Sequence, residues 1–221
     1  MFCKNTTIHN NNNNIIKKKI IIKNYSKIQK NNFFPMKHDY INYKKYFNEI
    51  EKNLLSKKII PLYGAFDDYL AENIIFKILY LNSLEELSNI LLVINSPGGS
   101  VSSGLAILDI INYSQNPIDT ACIAMAASMG AFTLSAGNLN GRGSFPNSRI
   151  MIHQPLGGAR GETVDIESQS NEILYYKLLL SNYLSEFTKK NLKTIMSDTD
   201  RDFFMSANEA LNYGLIDLII N

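Results

Sequence analysis

Ile90-Leu91-Leu92-Val93-Ile94-Asn95-Ser96-Pro97-Gly98-Gly99-Ser100 is the stretch on which the fold turns. Its opening apolar run, Ile90–Ile94, is too short for a helix and suits a strand buried on both faces. The Asn95–Gly99 segment then forces a sharp turn, because proline cannot donate to a ladder and glycine tolerates positive φ. Beyond it Ser103–Ser114 reads as a helix. The same alternation extends in both directions. Upstream, Ile59–Tyr63 is a short apolar strand ending at Gly64, and Asp67–Leu81 has helical spacing with Leu70, Ile74, Ile75, Ile78 and Leu79 on one face. Downstream come a strand over Thr120–Ala124, a helix of small residues over Ala126–Ala136 and a short strand at Ile150–Ile152. A long helix follows over Ile166–Thr188, with Ile173, Leu174, Leu178, Leu184 and Phe187 as its apolar set. Strands alternating with helices predict an α/β fold around one layered core, with no internal repeat.

Composition narrows the function classes. The chain has 221 residues, 45% hydrophobic and 19% charged, so a packed core is expected rather than disorder. The net charge of +2 is unevenly spread. Residues 1–38 hold eight lysines and no acidic residue, whereas 39–221 carry 14 basic residues against 20 acidic ones. A mildly acidic body argues against nucleic-acid binding. Two cysteines, Cys3 and Cys122, cannot build a disulfide framework or a zinc site, and no apolar run approaches a membrane span. The Asn10–Asn14 run and Lys17–Lys19 mark 1–38 as a low-complexity basic tail or a targeting leader. Residues 39–58 form an N-terminal segment and helix, and 59–221 the main domain.

Three places could hold chemistry. His153 is the one histidine within the body, placed where the Ile150–Ile152 strand opens into a loop. With no second body histidine or nearby cysteine a metal site is not expected, which leaves an acid–base role or an ordinary satisfied polar group. Ser128, in Ala126-Ala127-Ser128-Met129-Gly130, falls where a strand turns into a helix, an arrangement close to the G-x-S-x-G elbow with alanine for the first glycine. The alternative is a serine inside a small-residue packing helix. Gly98-Gly99 could free backbone N–H groups for an oxyanion or be only a tight turn, and neither G-x-x-x-x-G-K-[ST] nor G-x-G-x-x-G occurs. The run Asp198-Thr199-Asp200-Arg201-Asp202 is either a solvated loop or the source of an aspartate that orients His153.

Four strings converge on one family: Ile94-Asn95-Ser96-Pro97-Gly98-Gly99-Ser100, Ala126-Ala127-Ser128-Met129-Gly130-Ala131-Phe132, Pro146-Asn147-Ser148-Arg149-Ile150-Met151-Ile152-His153-Gln154-Pro155-Leu156-Gly157-Gly158 and Asp200-Arg201-Asp202-Phe203. Together, and in this order, they resemble the ClpP peptidases, the proteolytic subunits of ATP-dependent Clp proteases, from about Ile59 to Ile220. The resemblance implies a ClpP/crotonase-like spiral of β-β-α units with a protruding handle, a strand plus a long helix, at about 157–188. It implies Ser128 as nucleophile, His153 as base and Asp202 as the residue orienting it, with the backbone N–H groups of Gly99 and Met129 as oxyanion hole. Gly98, Pro155, Leu156 and Gly157 would bind substrate, the segment Gly157–Gly161 as an extended strand. Arg160, Asp200 and Arg201 would meet the opposite ring. It further implies seven-membered rings of this or homologous chains stacked as a tetradecamer. An AAA+ Clp ATPase would feed them unfolded protein, and no metal or cofactor would be needed, ATP being used by the unfoldase.

The chain departs from the family in places. Asn32-Phe33-Phe34-Pro35-Met36 and the stretch to Tyr46 do not match the usual pore-loop segment. Leu91 and Val93 stand where relatives often carry tyrosines lining the unfoldase cleft, although Tyr113 keeps an aromatic. A weakly active, ClpR-like ring subunit is the alternative to a working peptidase, but such subunits usually lack triad residues. A crotonase-type acyl-CoA enzyme would be expected to place glutamates beside the oxyanion motifs, and there are none. The leader-like tail points to an organelle interior, of plastid type before the mitochondrial matrix, with the bacterial cytoplasm as the other candidate.

Overall fold

The computed structural model describes residues 40–84 and 87–220, so the expectations for the 1–38 tail lie outside the described residues. The chain divides into two units, Met1–Phe47 and Asn48–Asn221, and the second carries every candidate residue. In chain order the elements are α1 (Tyr40–Leu55), β1 (Ile59–Tyr63), α2 (Asp68–Asn82), β2 (Ile90–Ser96), α3 (Val101–Tyr113), β3 (Ile118–Ala127) and α4 (Met129–Ser135). Then follow β4 (Arg142–Ser144), β5 (Arg149–Ile152), α5 (Thr163–Thr188), α6 (Leu192–Asp198), β6 (Phe203–Ser206), α7 (Ala207–Tyr213) and β7 (Leu218–Ile219). The predicted α/β alternation is what the structure has.

The strands form one mixed sheet in the order β1-β2-β3-β4-β7, all parallel, with β5 pairing the far half of β3 and β6 running antiparallel to β5. The run that opened the sequence reading is β2, and Ile90, Leu92, Val93 and Ile94 are buried. Val93, one of the two positions that depart from the family's tyrosines, is 5% exposed in this chain. Helix α2 is capped by the preceding Asp67, whose carboxylate accepts from the Leu70 N–H at 2.8 Å. It buries Ala71, Ile74, Ile78 and Leu81, while Leu79 lies at the rim and is exposed.

Strand β3 is the pivot. Ile94 pairs with Cys122 but Ser96 with Ala126, so Ile123, Ala124 and Met125 bulge opposite Asn95, with Ala124 at φ 62°. Before the bulge Thr120–Cys122 pair with β4, and from its last residue on Met125–Ala127 pair with β5. The alanine-rich start of the expected helix at Ala126 is instead strand, and the helix begins at Met129. Pairing with β5 at Ala126 and Ala127 overrides alanine's helix preference.

Arg142 ties the far side together. Its guanidinium grips both Asp217 carboxylate oxygens, at 2.6 and 2.9 Å, and donates to the Ser135 and Phe187 carbonyls at the ends of α4 and α5. Helix α5 packs only by its last third, through Leu180 and Leu184, onto that core. Leu174 and Leu178, expected on the same apolar face, are exposed, as are Val164 and Tyr175. The segment 157–161 forms no strand within the chain. Gly161 has φ 137°, and the Arg160 backbone N–H and C=O bond the Gln169 side-chain amide at 3.3 and 3.4 Å. A strand exists only through a partner backbone, and among the described residues this glycine-rich stretch pairs with none. No helix among the described residues is long and apolar enough to cross a membrane.

Candidate active site

Three strand ends bring the site together by register. The last β3–β5 pair is Ala127 with Met151, so the next residues are Ser128 and, two along β5, His153. The Ser128 N–H donates to the Met151 carbonyl at 2.8 Å, which carries the pairing one step past the strand. The last β5–β6 pair is Ile152 with Phe203, so His153 and Asp202 are the next residues across an antiparallel ladder. Their side chains meet: His153 Nδ1 stands 3.0 Å from Asp202 Oδ1, and His153 Nε2 stands 2.9 Å from Ser128 Oγ. The imidazole is thus engaged on both nitrogens, with a carboxylate on one and a hydroxyl on the other.

Ser128 sits at φ 54°, ψ −121°, a conformation that residues other than glycine seldom adopt. That kink turns the chain from β3 into α4 and lifts the hydroxyl out of the small-residue packing that surrounds it. Opposite, Gly98 at φ 94° abuts Ser128, and Gly99 at φ 150° lies on the Phe66 backbone. A β-carbon at Gly99 would meet the Phe66 oxygen at 2.3 Å. In this pairing the Phe66 N–H donates to Gly98 O and the Ser100 N–H to Phe66 O, which leaves the Gly99 N–H on the other side of the turn. The Met129 N–H belongs to the first turn of α4, where N–H groups have no intrahelical acceptor.

Beside Ser128 and His153 lies an apolar pocket lined by Val101, Phe132, Ile152, Pro155, Leu180 and Leu184. Pro155 thus lies beside Ser128 and His153. Leu156 and Gly157 are exposed beyond it, and Arg160, Asp200 and Arg201 are exposed on the surface. Gln154, marked in the sequence only by its place beside His153, bonds the loop that carries Asp202. Its N–H donates to the Thr199 carbonyl at 2.7 Å and its Nε2 to the Asp200 carbonyl at 3.1 Å. The pocket residues Leu180 and Leu184 on α5 carry no local sign of the site, because their approach depends on how a distant helix docks. Phe132 follows Ser128 by one helical turn of α4.

Below the aspartate loop, the Tyr213 hydroxyl donates to Asp198 Oδ2 at 2.8 Å, and Lys190 lies over its ring. Burial and the hydrogen bond to Asp198 push the Tyr213 phenol above its ordinary value. Among the described residues no group of three or more His, Cys, Asp or Glu side chains could hold a metal ion. Comparison with protein families gives a match between residues 42–221 and the family described as Clp protease.

Proposed function

Because this chain belongs to the Clp protease family, we propose that it is a serine endopeptidase that cleaves unfolded polypeptides, with Ser128, His153 and Asp202 as its triad. The observation that carries the proposal is the doubly engaged imidazole, 2.9 Å from Ser128 Oγ and 3.0 Å from Asp202 Oδ1. A serine hydroxyl is a weak nucleophile near neutral pH and needs a base in hydrogen-bond contact. Asp202 on Nδ1 fixes the tautomer whose Nε2 is free to accept, and stabilises the imidazolium that forms.

Ser128 Oγ attacks the peptide carbonyl carbon as its proton passes to His153 Nε2. The carbonyl oxygen gains the charge and is met by the N–H groups of Gly99 and Met129, each worth roughly 3–4 kcal/mol in such a site. The C–N bond then breaks as the imidazolium returns the proton to the leaving amine. Water, deprotonated by His153, attacks the acyl-serine, and collapse releases the acid and restores the Ser128 hydroxyl. The apolar pocket beside Ser128 favours an apolar side chain just before the cut bond. Gly98, Leu156 and Gly157 would hold the substrate backbone.

Clp proteases work as rings with an ATPase partner. For this chain the proposal is stacked heptamers, with Arg160, Asp200 and Arg201 and the exposed apolar residues of α5 at the contact between rings. An AAA+ unfoldase would supply chains and use the ATP. The proposed location is an organelle interior, plastid type first, on the lysine-rich, acid-free first 38 residues. A fluorophosphonate probe tests the chemistry: it should label Ser128 alone and react far more slowly in His153→Ala. Labelling at another residue would overturn the assignment.

A further inference from the structure

We propose that Gln154 is a positioning residue that holds His153 and Asp202 in line, an inference that rests on the serine-peptidase reading above. The Asp202 side chain is 59% exposed. A hydrogen bond to so open a carboxylate competes with water and contributes about 1 kcal/mol or less, too little to fix the loop that carries it. The loop is therefore held from elsewhere. Gln154, next to the base, bonds it twice: N–H to Thr199 O at 2.7 Å and Nε2 to Asp200 O at 3.1 Å, with Asp200 Oδ1 at 3.3 Å. On the other side of Asp202 the pairing of Ile152 with Phe203 closes the bracket. Between those two clamps the carboxylate has little choice but to face the imidazole.

The chemistry of the amide suits the place. It donates to both Asp200 acceptors without bringing a charge beside His153. A lysine there would oppose the imidazolium, and a glutamate would set acceptor against acceptor. The backbone bond to Thr199 survives a change of side chain, and Tyr213 holds Asp198 independently. Gln154→Ala should therefore fold and lose only the side-chain clamp.

The test uses the full chain in its assembled form and a short fluorogenic peptide, with Gln154→Ala, Gln154→Glu, Asp202→Ala and the double variant Gln154→Ala/Asp202→Ala. The expected result is a fall in kcat of about tenfold or more for both Gln154 variants with KM within about twofold. In the Asp202→Ala background Gln154→Ala should cost nothing further, because its effect runs through that carboxylate. The downfield Nδ1–H proton resonance of His153 gives a readout independent of turnover: present in the wild type, lost in Gln154→Ala as in Asp202→Ala. Equal losses in both backgrounds, or a retained resonance in Gln154→Ala, would overturn the proposal while leaving the triad standing. Turnover that survives Ser128→Ala would instead overturn the peptidase reading and this inference with it.

Discussion

Gly98 and Ser128 are packed so closely that a β-carbon at position 98 would stand 2.5 Å from the Ser128 Cβ and 3.1 Å from its Oγ. The same added atom would lie 2.8 Å from the Ala127 carbonyl, so it has no direction of retreat. Gly98 also holds φ 94°, which an alanine adopts only with strain. Gly98→Ala must therefore displace the serine. A misplacement of about 1 Å at a reacting atom costs roughly a hundredfold in rate. Peptide turnover in Gly98→Ala should fall by at least about that factor, and a thermal melt should show a folded chain.

Ala124 is the reverse case. Its φ of 62° in the β3 bulge is a left-handed conformation taken by a residue with a β-carbon. That costs about 1–2 kcal/mol, of which glycine's greater freedom when unfolded returns about 0.4–1 kcal/mol. Ala124→Gly should accordingly stabilise the protein by about 0.5–1 kcal/mol in denaturant unfolding. A loss of stability would show that the bulge is held by packing of the Ala124 methyl instead.

The Arg142–Asp217 pair predicts a pH signature. Burial opposes the charge on Asp217, but the hydrogen bonds and charge of Arg142 outweigh it and hold the carboxyl below its usual range. A depressed carboxyl adds stability above the unfolded value, near pH 4, that is lost as pH falls through the folded value. Asp217→Asn leaves a guanidinium with 5% of its side chain exposed facing a neutral amide, and should cost about 3 kcal/mol at neutral pH. The gap between wild type and variant should then narrow below about pH 4. A gap that stays constant with pH would contradict the assignment.

Cys122 is buried, and that burial, eased slightly by hydrogen bonds with Ser148 and Ser144, pushes its thiol up to about 11. The thiolate is the reactive form, so it is scarce at neutral pH. Alkylation by iodoacetamide at pH 8, followed by peptide mapping, should leave Cys122 unmodified in the folded protein and modify it fully in denaturant.

How much of this could be read from the chain depends on range. Strand β2 was plain because Ile90–Ile94 is an unbroken apolar run closed by Pro97-Gly98-Gly99. Ser128 and His153 could each be placed at a strand end, yet local spacing left both with ordinary structural explanations. What joins them is register: the 2.9 Å and 3.0 Å contacts span 25 and 49 residues and follow from which strands pair. The family resemblance named the three residues together, which periodicity could not do. Strands β4 and β7 were missed because Arg142-Gly143-Ser144 and Leu218-Ile219 are too short to carry a pattern. The start of α4 was misplaced because Ala126 and Ala127 have helix-forming side chains, and only pairing with β5 makes them strand.

The central claim is that Ser128 is the nucleophile of a working peptidase, and hydrolysis of a short fluorogenic peptide measures it most directly. A small peptide reaches an enclosed site by diffusion, so no unfoldase is needed. The purified wild-type chain should turn the peptide over, and Ser128→Ala, equally folded and assembled, should show none. Undiminished turnover in Ser128→Ala would contradict the account.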